Sequence, residues 1–202
     1  MPKRRQTVQD LAVAPIRDDI VEAAAAVFSA QGYHAASMQD VADRVGIRKA
    51  SLYHHVRSKA DLLYAIHERL IDLLIAETLA VISTDDDPPV KIRRVMRVAM
   101  HLIADHNREV RVFLRDADIL EGERWNSIVA KRDLYEDMVA GVVADGVRQG
   151  AFADWQPKLA TRGLLAMANW GYTWFKPGGP LTPDEVADFF SQMILKGLEK
   201  RD

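Results

Sequence analysis

The chain has 202 residues, 49% of them hydrophobic, so it carries enough apolar side chain for a packed core and is not disordered as a whole. It contains no cysteine, which excludes disulfides, thiolate nucleophiles and thiolate metal sites. The net charge of −2 is unevenly divided: residues 1–60 carry nine Lys/Arg against six Asp/Glu and the remainder 18 against 23, the balance of a basic nucleic-acid reader on an acidic body.

Residues 1–14 are polar and aperiodic, and Lys3, Arg4 and Arg5 suit either a basic arm near the minor groove of DNA or a solvated tail. No long apolar stretch follows them, and no run approaches the ~20 residues of a membrane span, so a soluble, cytoplasmic protein is expected. A first helix is predicted from about Pro15, with Ile20, Ala23, Ala24, Val27 and Phe28 at helical spacing and Gly32 as its stop. Ser37, with Asp40 three residues on, has the form of a capping box and opens a second helix striped by Val41, Ala42 and Val45. Gly46 breaks that helix, and Ile47, Leu52 and Val56 supply the next stripe. Two short helices joined by a tight turn make a helix-turn-helix, whose second helix is presented to the major groove. With Leu52 inward, Ala50 and His54 point farthest outward, flanked by Ser51 and Tyr53. Ser37, Gln39, Arg48 and Lys49 join them as expected DNA contacts. Ser58 and Asp61 repeat the capping pattern, and the helix start they make, together with Lys59, is expected to form an anion site suited to a phosphate.

The stretch GIRKASLYHHVRSK at residues 46–59 resembles the G-x-s-k-g-s-L-Y-H-H-F-x-s-K signature of the tetracycline-repressor (TetR) family of bacterial regulators, with Val56 where an aromatic is usual. The resemblance implies an all-α fold, a homodimer on a palindromic DNA operator and, usually, repression of transcription. The physical argument agrees on the dimer. A reading helix of about two turns covers few bases, whereas a two-fold pair presents two heads ~34 Å apart to successive major grooves.

From Ser58 a helical pattern continues to Ile82, roughly 24 residues or ~36 Å, until Asp85–Pro89 ends it. Further helices are predicted at 90–105, 108–120, about 123–149, about 157–175 and, after the Lys176–Pro180 turn, from Thr182–Glu185 to about Glu199. The expected division is a head at 1–57 and a larger ligand-binding and dimerisation body at 58–202. Two helices there have broad apolar faces and are expected to pair with their copies: Leu164, Leu165, Met167 and Ala168 on one, Val186, Phe189, Phe190, Met193 and Ile194 on the other.

Catalytic patterns are absent. His101 and Asp105 stand four apart with His106 adjacent, a metal-compatible spacing that in helices is more often a surface feature, and no metal or cofactor is expected. The Gly178-Gly179 pair lacks a preceding strand and a following Gly-Lys-Ser/Thr, which makes it a turn. The rival class is a helical ligand-binding or enzymatic protein whose head contacts another protein, and the 37–59 segment argues against it.

Residues 167–182 place Trp170 and Trp174 four apart, with Tyr172 and Phe175 nearby. Such aromatics serve either a dimer seam or the edge of a cavity between helices. The stretch resembles the N-W-x-x-x-W-[YF]-x-P-x-G-x-[LI]-[ST] segment of TetR-type regulators of fatty-acid, steroid and aromatic-acid breakdown, many of which respond to acyl-CoA thioesters. The arginines that hold the CoA phosphates in some relatives are missing from 163–175; Arg162 lies just before, and Arg108, Arg111 and Arg115 lie on a neighbouring helix. A ligand among Trp170, Trp174, Tyr135 and Met100, with those arginines at the mouth, is therefore expected to be an acyl-CoA, another anion or a plain hydrophobe.

Overall fold

The computed structural model describes residues 16–198, so the basic arm of residues 1–14 lies outside the described residues. Three helices make the head: α1 (Asp18–Gln31), α2 (Met38–Val45) and α3 (Lys49–Leu52). The body holds α4 (Lys59–Ile82), α5 (Pro88–Asp105), α6 (Asn107–Arg115), α7 (Gly122–Arg148), α8 (Pro157–Asn169), α9 (Gly171–Trp174) and α10 (Pro183–Leu198). No strand occurs among the described residues.

The head folds around Ile20, Ala24, Phe28, Val41, Ala42 and Leu52, all fully buried, and α4 joins it through Leu62, Leu63 and Ile66. Farther along, α4 buries Leu70, Ile71 and Val81 in the body, so one helix shares both cores. The α7 helix packs against α4, α5 and α8, while α10 packs along α5. The α5–α10 contact carries a bidentate ion pair from Arg97 to Asp188 at 2.8 and 3.0 Å. His101, whose spacing from Asp105 is metal-compatible, reaches Asp184 of α10 at 3.2 Å.

Three predicted helices are shorter than their periodicity suggests. The 108–120 helix ends at Arg115, because Asp116 turns inward to pair with that arginine and a short 3₁₀ turn follows at Ala117–Ile119. The 157–175 helix breaks at Trp170, where Thr173 N–H reaches the Trp170 carbonyl in a tighter turn. There Gly171 lies so close to α5 that a Cβ would stand 3.2 Å from Ile103 Cδ1 and 3.5 Å from Met100 Sδ. The reading helix itself is a single turn rather than two. After Leu52 the chain tightens, with His54 and His55 N–H bonded to the carbonyls of Ser51 and Leu52 at 3.1 and 2.9 Å.

A histidine is buried where α4 meets α6. His67 of α4 is fully buried, its Nδ1 lies 2.9 Å from the Leu63 carbonyl, and its ring sits 5.1 Å from that of Phe113. Burial holds its pKa below the ordinary histidine value, against the opposing pull of the Leu63 carbonyl and Asp116. The unfolded chain therefore takes up this proton first as pH falls below about 6.5, so the contribution of His67 to stability is full above that pH and declines below it. His67→Phe is expected to flatten the acid side of the stability curve between pH 7 and 5, removing a slope of up to about 1.4 kcal/mol per pH unit. Denaturant midpoints measured at each pH check this; parallel curves for the two proteins exclude it.

Candidate nucleic-acid interface and ligand cavity

The head positions its outward residues through local hydrogen bonds. The Asp40 N–H reaches Ser37 Oγ at 3.2 Å, and the Asp40 carboxylate accepts from Ser37 N–H at 2.8 Å, which closes the predicted capping box. The hydrogen bond from the Ser37 hydroxyl holds the Asp40 carboxyl below its usual range. Gly46 ends α2 in the left-handed region at φ 80°, where its N–H and that of Ile47 both reach the Ala42 carbonyl at 3.0 Å. That turn sends Leu52 and Val56 into the core. Arg48, Lys49, Ala50, Tyr53 and His54 are left exposed, and Ser51 half-buried beside them. Neither Arg48 nor Lys49 is in an ion pair among the described residues. Ser37 and Gln39 are exposed too, but the Gln39 amide already donates to Asp43 at 2.7 Å.

Lys59 does not match its expected role. Its ammonium donates to the carbonyl oxygens of Tyr33, His34 and Ala36 at 2.7, 3.2 and 2.8 Å and lies 4.5 Å from the centre of the Tyr33 ring. An ammonium has three donors, and all are used. The expected anion site is also partly filled from within, because the Asp61 carboxylate accepts from the N–H groups of Arg57 and Ser58 at 2.9 and 2.8 Å. Lys59 therefore fastens the 33–36 loop to α4. Lys59→Ala is expected to cost about 1–2 kcal/mol of stability and to leave the log–log salt slope of DNA binding unchanged. Thermal melts and salt titrations check this; a slope reduced by one unit per site would restore the phosphate role.

In the body, a cavity of about 440 Å³ opens between α4, α6, α7 and α8. Its apolar wall includes Ile71, Leu74, Phe113, Trp125, Tyr135 and Leu165. Arg162 lines it as well but is engaged with Glu136 at 2.9 Å. Arg132 lies 5.8 Å from the centre of the Phe113 ring and makes no ion pair among the described residues. Burial pushes the Tyr135 hydroxyl up, so it stays neutral at the cavity wall.

Of the seven predicted ligand residues only Tyr135 lines this cavity. Met100 is fully buried against Gly171. Arg115 donates to the Phe28 carbonyl at 2.8 Å and to Asp116, which ties α6 to the end of α1. Arg108 is exposed and Arg111 half-buried, and neither lines the cavity. Trp170 and Trp174 are 66% and 39% exposed on the protomer surface. Phe189 and Met193 are likewise exposed, at 60% and 51%, and half-buried Phe190 packs between Phe189 at 6.2 Å and Trp174 at 6.1 Å. Among the predicted dimer residues, Leu164 is buried within its own protomer and is unavailable to a partner, while Met167 is half-buried. The residues that the sequence reading missed, Trp125, Val129 and Arg132, recur at one helical face, but that spacing is the same for a cavity wall as for a closed core.

This architecture is shared with known proteins. Residues 85–198 match the model of the tetracyclin repressor-like C-terminal domain, and residues 20–66 match that of bacterial regulatory proteins of the tetR family. The chain belongs to the TetR family. It is a DNA-binding transcriptional regulator, with the helix-turn-helix of α2 and α3 as its reading head. Among TetR relatives, the transcriptional repressor KstR2 of Mycobacterium tuberculosis is 27% identical over 91% of this chain and 93% of its own. The crystal structure of the TetR regulator PfmR from Thermus thermophilus superposes with a TM-score of 0.85 at 35% identity, covering 91% of this chain and all of that one. AibR, solved in complex with isovaleryl coenzyme A and operator DNA, superposes with a TM-score of 0.79 at 32% identity, covering 86% of this chain and 95% of its own. Among the described residues no helix is long and apolar enough to cross a membrane, and no group of three or more His, Asp or Glu is placed to hold a metal.

Proposed function

We propose that this TetR regulator acts in the cytoplasm as a homodimeric repressor, released from a two-fold operator when a ligand with an apolar acyl or ring group enters the cavity between α4, α6, α7 and α8. The observation that carries the ligand reading is the cavity itself: an apolar wall that includes Trp125 and Tyr135, with the Arg132 guanidinium, unpaired among the described residues, on its lining. Burial of an acyl group contributes roughly 25 cal/mol per Å², enough for micromolar binding by a medium chain after association costs. Arg132 then meets the polar end, whether carboxylate or thioester. Binding of isovaleryl coenzyme A and operator DNA by AibR supports this reading, as does the repressor role named for KstR2.

The proposed release follows from differential affinity: the ligand shifts the protein only as far as it prefers one separation of the two heads over the other. The test titrates acyl-CoAs and the corresponding free acids while operator release and tryptophan emission are followed. CoA forms alone releasing DNA identifies a thioester ligand, and equal action by the acids places recognition in the acyl group. No release by either class removes the ligand reading.

A further inference from the structure

Arg124 and Trp125, neighbours in the first turn of α7, face two different sites. Trp125 lines the body cavity. Arg124 reaches the other way, across a cleft of about 650 Å³ between head and body that is also bordered by Tyr53, His54, Arg57 and Tyr64. Its guanidinium pairs with the Asp61 carboxylate, which is only 17% exposed. That carboxylate is the one that accepts from the backbone N–H groups of Arg57 and Ser58, on the segment that leads from α3 into α4. A single side chain of the body is therefore joined, through one carboxylate, to the backbone that carries α3.

Below this point α7 is fastened to α4. Lys131 pairs with Asp72 at 2.7 Å and Glu68 at 3.4 Å, and Tyr64 Oη, which donates to Glu68 at 2.7 Å, lies 3.4 Å from Ser127 Oγ. A displacement of Trp125 thus carries Arg124 with it, because the two occupy consecutive positions on a rigid helix. The connecting helix α4 and the Arg115–Phe28 contact offer other routes, the second of which reaches the end of α1 and not Asp61.

We infer that Arg124 is a positioning residue that couples the cavity to the reading helix, so that the state of the cavity sets the placement of the 53–58 segment through Asp61. The inference rests on the proposed ligand role of the cavity, yet its test needs no ligand. Coupling is reciprocal: if the cavity moves the head, operator binding to the head must alter the surroundings of Trp125.

The experiment incorporates 5-fluorotryptophan into the full chain, which has four tryptophans, and assigns the Trp125 resonance in ¹⁹F NMR by its loss in Trp125→Phe. DNA from upstream of the protein's own gene is then titrated into the wild type, Arg124→Gln and Arg124→Lys. The expected result is a shifted Trp125 resonance in the DNA-bound wild type. In DNA-bound Arg124→Gln that shift is lost while affinity changes by only about fivefold, at the low end of measured coupling energies. Arg124→Lys, which keeps the charge, recovers part of the shift. Thermal melts of both variants near that of the wild type separate this from unfolding. An equal Trp125 shift in Arg124→Gln and wild type overturns the inference, as does a wild type that binds DNA with Trp125 unmoved. A failed search for acyl ligands would end the ligand reading and leave this measurement standing.

Discussion

Replacing Phe189 by aspartate is expected to turn the protein into a monomer and to lower operator affinity by about two orders of magnitude or more. Phe189 and Met193 of α10 and Trp174 of α9 are exposed, and half-buried Phe190 packs against both Phe189 and Trp174, which leaves apolar surface that a monomer rarely shows. In a two-fold interface each substitution occurs twice, so two carboxylates would be buried without partners, at several kcal/mol each. Losing the dimer also loses the tether that keeps the second head near its half-site, worth an effective concentration in the millimolar range. Light scattering and gel-shift titration on the same samples check both halves of the prediction. A variant that remains a dimer with unchanged operator affinity would place the interface elsewhere on the protomer.

Removing the charges of Arg48 and Lys49 together should have the next largest effect. Both are exposed at the start of the reading turn and free of ion pairs among the described residues, so both are available to phosphates. In a dimer the double alanine variant deletes four positive charges. If all four meet phosphates, the log–log salt slope falls by about 3.6 units, and affinity for operator and random DNA falls together. His54→Ala and Tyr53→Ala provide the contrast, since these side chains are exposed just after α3. Loss for operator with little change for random DNA makes them base contacts; an equal loss for both makes them phosphate contacts. Full operator affinity in all of these variants would remove α3 as the reading element.

The head was legible in the sequence because its determinants are local. A capping box spans four residues, a left-handed glycine acts on its own turn, and the apolar stripes of α1 and α2 repeat within a single helix; Ser37, Asp40 and Gly46 act in the structure as their positions imply. The breaks at Arg115 and Trp170 were not legible, since each depends on a neighbour: Asp116 turning inward, and Gly171 pressed against α5. The role of Lys59 was hidden for the same reason. The three carbonyls that hold its ammonium lie 23 to 26 residues earlier in the chain, and only folding brings them together.

The cavity is the clearest case of what tertiary structure alone decides. Helical periodicity tells which face of α7 turns inward, but a buried face packs equally well against a neighbour or around a space. Nothing in their spacing marks Trp125 and Arg132 until α4, α6 and α8 are set around them, whereas the more conspicuous Trp170 and Trp174 end on the surface. The sequence by itself determined the TetR head, the helical body and the apolar face of its last helices, all of which follow from short-range patterns. The separation between packed helices is set by side chains from four elements at once, and so the cavity was decided only by the assembled fold.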